Sequence, residues 1–300
     1  QVDVVIHNFR PGTMDTLNLG YDALRTLNPR LVYMAISGFG TEGPLRRAPA
    51  YDPIIQAHSG MAATQGGDDS PAFIRSLLCD KITAYTACQA VTSALFARER
   101  SGEGQLIDLS MLDSGLFFMF PDGFQNHALL DEDAIPGGML IDILYDLTLT
   151  KDGSITVAAA NQEMQGRMLK AIGLLHLLGD ERFSTMQKLV ENLHIFRGVV
   201  AEKCLEYTSD ELLALLREVE VPCAKCLSRD EVLAQEQLSA NDSIAEVDHP
   251  HLGTLRVVKA PPRFGGERLE PSRPVPAHGE HTDSVLADFG LDSQRINTLR

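Results

Sequence analysis

The sequence predicts an α/β protein with an open parallel sheet, and three short segments near its start indicate this. Residues 2–6 are a β-branched run typical of a strand, and residues 31–36 form a second run of the same kind. Between them, residues 21–27 have helical spacing, and the pair Asn28 and Pro29 is expected to end that helix. A strand, a helix and a strand joined by short links form a βαβ unit, which makes the two strands parallel.

The next predicted elements are a long helix, a strand and a very apolar helix. Residues 81–100 carry apolar side chains at three- and four-residue spacing, and Gly102 and Gly104 are expected to end the helix. Residues 106–109 have the pattern of a strand. Residues 111–120 are apolar on almost every side, so we expect this helix to be deeply buried.

The amino-acid composition changes at residues 131–138, where an acidic stretch is followed by Pro and Gly residues. We therefore predict a large domain over residues 1–135 and a smaller α+β domain over residues 136–225. Residues 226–300 are expected to form a return segment whose C-terminal helices pack on the large domain.

Within the small domain we predict a strand at residues 154–160 and helices at residues 162–172, 186–206 and 209–218. Residues 261–276, rich in Pro, Gly and Arg, are predicted to be an extended linker. The tail is predicted to form two short helices broken at Gly290.

The composition excludes several classes of protein. The 300 residues include 26 basic and 41 acidic side chains, and the net charge of −15 argues against nucleic acid or an anionic membrane as a partner. No apolar run approaches 18 residues, so we expect no transmembrane helix. Five cysteines, an odd number, favour a reducing, cytoplasmic compartment. The start at Gln1 instead of Met suggests a missing N-terminal part, which leaves mitochondrial or peroxisomal targeting open.

We predict no metal site. Cys223 and Cys226 form one C-x-x-C pair, without the second pair of ligands that structural zinc requires. His249 and His251 have no third candidate ligand near them in the sequence.

Asp80 stands directly before the predicted long helix and has two interpretations. It is either the N-cap of that helix, or a carboxylate nucleophile whose pKa the helix N-terminus keeps low. An ionised carboxylate needs no general base to attack an acyl carbon, and free N–H groups of the first turn would stabilise the oxyanion that forms.

Two loops beyond the predicted strands are further candidates. Arg10 follows the first strand, where ligands bind in open α/β sheets, and it either binds phosphate, with Arg46 and Arg47 nearby in sequence, or belongs to a surface turn. Tyr51 and Asp52 either form a turn before Pro53 or line a pocket and bond to a ligand or to Asp80.

Taken together, the sequence resembles the third family of CoA-transferases, which includes formyl-CoA transferase, carnitine CoA-transferase and α-methylacyl-CoA racemase. The likeness is specific over residues 1–120, looser over 120–275, and recovers at the tail. It is carried by residues 3–12, 19–24, 28–33, 37–44, 50–60, 80–81, 97–105, 108–113 and 279–286.

The resemblance implies a site and an architecture. Asp80 falls on the catalytic aspartate, and Asp52 falls on an acidic residue that supports the site. The residues that fall on coenzyme A contacts are Asn8, Phe9, Arg10, Ala48, Pro49, Ala50 and Tyr51. Coenzyme A is then a substrate, exchanged between an acyl-CoA and a small carboxylic acid through an aspartyl-CoA and mixed anhydrides. The family also implies a Rossmann-like large domain and an interlocked homodimer.

Two departures from the family pattern bear on this. Thr16 stands where many members have a basic residue for coenzyme A, and Tyr51 stands where racemases have the histidine that moves the α-proton. Transfer is therefore favoured over an α-methylacyl-CoA racemase or epimerase. A CoA-binding subunit that has lost the chemistry is the third alternative. The Gly-containing loop at residues 135–139 is a candidate cover that shields the anhydrides from water.

Overall fold

A computed structural model describes residues 2–124, 126–131, 147–159, 161–271 and 273–300. The chain divides into two compact units, Gln1–Ala224 and Lys225–Arg300. The predicted boundary after residue 135 and the predicted cover at residues 135–139 both lie outside the described residues.

The predicted parallel sheet is confirmed. Strand β1 (Val4–His7) pairs in parallel with β2 (Val32–Ser37), and β2 pairs in parallel with β3 (Leu106–Ser110). The crossover from β1 to β2 contains α1 (Thr13–Thr16) and α2 (Tyr21–Leu27). The first three residues of β2 are buried, because it is the central strand of this sheet.

Three helices lie between β2 and β3 in the chain, and a fourth follows β3. They are α3 (Asp52–His58), α4 (Met61–Gly66), α5 (Leu78–Ser101) and α6 (Met111–Gly123). Ile55, Met61, Cys79 and Ile82 form a buried cluster among them. Helix α5 begins three residues before the predicted start, and it ends at Gly102, which has a φ of 79° and so takes the left-handed conformation that glycine allows.

The prediction that residues 111–120 are deeply buried is wrong. Helix α6 buries its small residues Ser114 and Gly115, and a Cβ on Gly115 would lie 3.2 Å from that of Ser59. Its phenylalanines are exposed instead, Phe117 to 83%, Phe118 to 54% and Phe120 to 44%. The close approach of the small face explains this, because the bulky residues cannot enter the same contact.

A second three-stranded sheet has the order β4 (Thr148–Leu149), β5 (Ser154–Val157), β6 (Cys223–Lys225). The helices that belong to this part of the chain are α7 (Gln162–Ala171), α8 (Met186–Glu191), α9 (Leu193–Cys204) and α10 (Ser209–Glu218). Short 3₁₀ turns occur at Asn126–Ala128, Leu175–Gly179 and Glu181–Phe183. A buried cluster around Ile155, Leu169 and Leu212 holds the sheet against the helices.

The single helix predicted at residues 186–206 is in fact two helices. Asn192 separates them, and its side-chain amide donates to the carbonyl oxygens of Lys188 (3.0 Å) and Arg182 (3.3 Å). An asparagine side chain that bonds to nearby carbonyls competes with the helical pattern, which explains the break.

The described residues of the unit Lys225–Arg300 form four short helices and two hairpins. In chain order they are α11 (Arg229–Ala234), α12 (Glu236–Ala240), β7 (Ile244–His249), β8 (Gly253–Val258), β9 (Arg263–Phe264), β10 (Glu267–Arg268), α13 (Thr282–Asp288) and α14 (Ser293–Leu299). The predicted pair of tail helices around Gly290 is confirmed.

Residues 261–276 are not the predicted extended linker, since β9 and β10 form a hairpin there. Gly265 and Gly266 make its turn with φ values of 61° and 90°, which suit a two-residue hairpin loop. The buried ammonium of Lys259 also anchors this region, because its Nζ lies 2.8 Å from Oδ1 of Asp242 and 2.7 Å from Oε1 of Glu270.

Within the described residues, no helix is long and apolar enough to cross a membrane. The five cysteine thiols are free. No cluster of three or more potential metal ligands occurs in the part of the chain that the structure describes.

Candidate active site

One cavity of about 440 Å³ brings together the predicted catalytic and binding residues of the chain. It lies beyond the carboxyl ends of β1 and β2, the edge where open α/β sheets bind ligands. Its lining includes Asp80 and all seven residues that the resemblance places at coenzyme A. The full lining is Asn8, Phe9, Arg10, Pro11, Ile36, Ser37, Gly38, Arg46, Ala48, Pro49, Ala50, Tyr51, Asp80 and Met111.

The first wall of the cavity is the loop after β1. Asn8, Phe9 and Arg10 follow the last strand residue directly, and Phe9 is about half exposed. The chain then turns into α1 at Gly12, whose φ of 86° favours glycine. Arg10 and Arg46 both line the cavity, whereas Arg47 does not. Two guanidinium groups in one cavity suit phosphate oxygens, which they bind through pairs of N–H donors.

The second wall is formed where two loops touch. A Cβ added to Gly38, just after β2, would lie 2.2 Å from the Cβ of Ala50. Real Cβ atoms do not approach so closely, so the contact between the two loops requires glycine at position 38. This contact places residues 48–51 beside the end of β2.

Tyr51 and Asp52 are neighbours with opposite surroundings. Tyr51 is 77% exposed and lines the cavity, whereas Asp52 is 2% exposed and lies behind the wall. Asp52 is the first residue of α3, followed by Pro53, so it does not form the isolated turn that was one interpretation. The other interpretation, in which Asp52 bonds to Asp80, fits in part, because the carboxylate of Asp52 accepts a hydrogen bond from the backbone of Asp80 and not from its side chain.

The interpretation of Asp80 as N-cap is wrong. Leu77 occupies the N-cap position of α5, and Asp80 is the third residue of the helix. The Asp80 N–H donates to Oδ2 of Asp52 at 3.0 Å, so a carboxylate from α3 accepts one of the free N–H groups at the start of α5. This bond uses only the backbone of Asp80, which itself lines the cavity.

The expectation of a low pKa for Asp80 is also wrong. Partial burial, and next the negative charge of Asp52, raise the pKa of the Asp80 carboxyl above its ordinary value, although Lys81 opposes them. Both effects have a plain cause, because a carboxylate is harder to ionise where burial removes water from it and where a second carboxylate lies nearby. Burial likewise raises the pKa of the adjacent Cys79 thiol to about 11, so this thiol is protonated and does not compete as a nucleophile.

One buried residue that the sequence analysis missed lies behind the site. Gln56, in α3 one turn after Asp52, is 1% exposed, and its Nε2 donates to Oδ1 of Asp52 at 2.6 Å. In the sequence, Gln56 could have been noticed only because it lies in segment 50–60, which carries the family resemblance. It was overlooked because a glutamine in a helix is more often on the surface.

Comparisons with known proteins identify the family. The family model for CoA-transferase family III matches residues 1–282, and the chain belongs to this family. A Fusarium pseudograminearum acyl-CoA transferase is 31% identical over 98% of this chain and 65% of its own length. The succinyl-CoA–D-citramalate CoA-transferase of Chloroflexus aurantiacus is also 31% identical, over the whole chain and 75% of its own length. The chain therefore spans about two thirds to three quarters of these relatives.

Solved structures agree on the fold. A CaiB/BaiF family protein from Brucella suis is 28% identical and superposes with a TM-score of 0.78, over 95% of this chain and 75% of that one. A Mycobacterium tuberculosis protein is 26% identical, with a TM-score of 0.79 over 94% of this chain and 76% of that one.

Proposed function

We propose that this chain is a CoA-transferase that moves coenzyme A from an acyl-CoA thioester to a free carboxylic acid, with Asp80 as the nucleophile. The observation that carries the proposal is that Asp80 lines the same cavity as the Asn8–Arg10 loop. The arginines of the cavity suit the phosphates of coenzyme A, and the carboxylate stands where the thioester would arrive.

The proposed first half-reaction has two steps. A carboxylate oxygen of Asp80 attacks the thioester carbonyl, the C–S bond breaks, and coenzyme A leaves as its thiolate from a mixed anhydride. The thiolate then attacks the aspartyl carbonyl of the anhydride, which releases the donor acid and leaves coenzyme A bound to Asp80 as a thioester.

The second half-reaction reverses these steps with the acceptor acid. The acceptor carboxylate attacks the aspartyl thioester, forms a second anhydride and releases the thiolate, which then attacks the acceptor's carbonyl and frees Asp80. A thioester is exchanged for a thioester, so the equilibrium changes little and the protein's contribution is kinetic. The raised pKa of Asp80 suits this cycle, because a more basic carboxylate is a better nucleophile once it is ionised.

The racemase alternative requires a second base that faces Asp80. Among the described residues that line the cavity there is no histidine, and the exposed phenol of Tyr51 occupies the wall instead. This favours transfer. Exchange of the substrate α-proton with deuterated water, without an acceptor acid, would support a racemase instead.

A trapping experiment tests the role of Asp80. The protein is incubated with succinyl-CoA and then with hydroxylamine, and peptides are mapped by mass spectrometry. We expect a hydroxamate at Asp80, and none in Asp80→Asn. Acceptors to assay include glutarate, citramalate and oxalate, since relatives are named for these acids. Rapid turnover by Asp80→Asn would overturn the proposal, and binding of acyl-CoA without any transfer would support the non-catalytic alternative.

We also propose that the chain acts as a homodimer of interlocked subunits, each with a large and a small domain. The apolar face of α6 supports this, because Phe117 and Phe118 are 83% and 54% exposed, and such patches mark interfaces. Phe117→Asp should shift the mass measured by light scattering from dimer to monomer. Leu27→Asp, at an equally exposed residue of α2, is the control. A monomeric wild-type protein would refute the proposal.

A further inference from the structure

Gln56 uses both ends of its amide in a buried network next to the candidate site. Its Oε1 accepts the N–H of Ile74 at 3.0 Å. Its Nε2 faces three acceptors, the Oδ1 of Asp52 at 2.6 Å and the carbonyl oxygens of Ile74 and Ser76, both at 3.1 Å. The assignment of oxygen and nitrogen is therefore fixed, because the flipped amide would place its oxygen against three acceptors.

This network holds the chain on both sides of the start of α5. Through Ile74 and Ser76, Gln56 fastens the segment that enters the helix, and Ser76 O in turn accepts the N–H of Leu78 at 2.8 Å. Through Asp52, Gln56 orients the carboxylate whose other oxygen accepts the N–H of Asp80. Both paths end on the first turn of α5, which carries Asp80.

We propose that Gln56 is a positioning residue for the transfer reaction, which holds the Asp80 carboxylate at the cavity by fixing Asp52 and the entry to α5. Gln56 itself does not line the cavity, so it acts through these neighbours. The inference rests on the proposed role of Asp80 as nucleophile.

The first test replaces Gln56 by methionine, which has a similar length and no hydrogen-bonding amide. Misplacement of a reacting group by about 1 Å costs on the order of 100-fold in rate, so we expect kcat to fall by roughly 10- to 100-fold. The KM for acyl-CoA should change by less than about threefold, because the Asn8–Arg10 loop is not in the network. Gln65→Met, at an exposed glutamine of α4, is the matched control and should keep wild-type kinetics.

The second test, Gln56→Glu, gives a pH signature that a loss of packing would not. A protonated glutamic acid still donates to Asp52, whereas an ionised one repels it at the same short distance. The kcat of this variant should therefore fall as pH rises, in the range where the wild type gains activity by ionising Asp80. Thermal unfolding at each pH verifies that the protein assayed is folded.

A third measurement is independent of activity. Hydrogen exchange of the Asp80 amide should be roughly tenfold faster in Gln56→Met than in wild type, since Asp52 is no longer oriented to accept it. Wild-type kcat in Gln56→Met, or unchanged exchange, would overturn the positioning role alone. A wild-type protein that transfers no coenzyme A would overturn the proposed function. The exchange result would still decide whether Gln56 orients Asp52 toward the Asp80 amide.

Discussion

Asp52→Asn is the most informative single change, because it keeps the shape of the side chain while it removes one charge and one hydrogen-bond acceptor. Asp52 accepts two hydrogen bonds while buried, from the Asp80 N–H at 3.0 Å and from Gln56 Nε2 at 2.6 Å. An asparagine can turn its oxygen to only one of these donors, and its NH₂ group then faces the other.

The stability effect follows from that one unmatched donor. A buried donor without a partner costs about 1–3 kcal/mol. At about 2–4 °C per kcal/mol for a domain of this size, the melting temperature should fall by roughly 2–12 °C. Asp22→Asn, at an exposed first-turn acid of α2, is the control, and a surface change of this kind stays within about 0.5 kcal/mol.

The catalytic effect has a definite sign. The charge of Asp52 raises the pKa of Asp80, so its removal lowers that pKa and moves the acidic limb of the kcat profile to lower pH. Calorimetry and a pH–rate series on the same preparation measure both effects. An unchanged melting temperature together with an unmoved limb would refute the hydrogen-bond and charge arguments at once.

Three further predictions concern the walls of the site and its nucleophile. Arg46→Ala should raise the KM for acyl-CoA by roughly tenfold or more, since a charge-assisted bond contributes about 1.5–3 kcal/mol, whereas Arg47→Ala should not; equal effects would contradict the cavity assignment. Gly38→Ala should lower the free energy of unfolding by about 1–3 kcal/mol in denaturant titrations, because the new Cβ would lie 2.2 Å from the Cβ of Ala50. The control Gly166→Ala, where a Cβ in α7 would make only ordinary contacts, should not destabilise the protein. Asp80→Asn should raise the melting temperature at neutral pH but not at pH values below the ordinary carboxyl pKa. The raised pKa of Asp80 in the fold makes its ionised form unfavourable there, so the wild type loses stability as the pH rises through that raised pKa. A stabilisation that is the same at every pH would exclude this cause.

The local elements could be predicted because their signals are local. Strand and helix periodicities gave the parallel arrangement of β1 and β2 and the tail helices, and the glycine at 102 gave the end of α5. Some errors, such as the break at Asn192, have local causes, whereas the error at Asp80 has a tertiary one. The start of α5 is capped by Asp52, 28 residues earlier in the chain, so nothing next to Asp80 reveals its position in the first turn.

The candidate site shows the same division. Its lining was predicted mainly through the family resemblance, which named residues 8–10, residues 48–51 and Asp80, all of which line the cavity. The pKa of Asp80 and the role of Gln56 depend on which side chains meet across α3 and α5, and periodicity carries no information on that. For α6, apolar composition does not reveal that the small residues Ser114 and Gly115 form the buried face while Phe117 is exposed.

The dependence of α5 on a carboxylate from another helix also has a consequence for the maturing protein. A nascent or partly denatured chain has the aspartate but not the geometry around it, because α3 must dock before the first turn of α5 is completed. Completion of this turn thus depends on two segments that lie far apart in the chain and meet only in the assembled core.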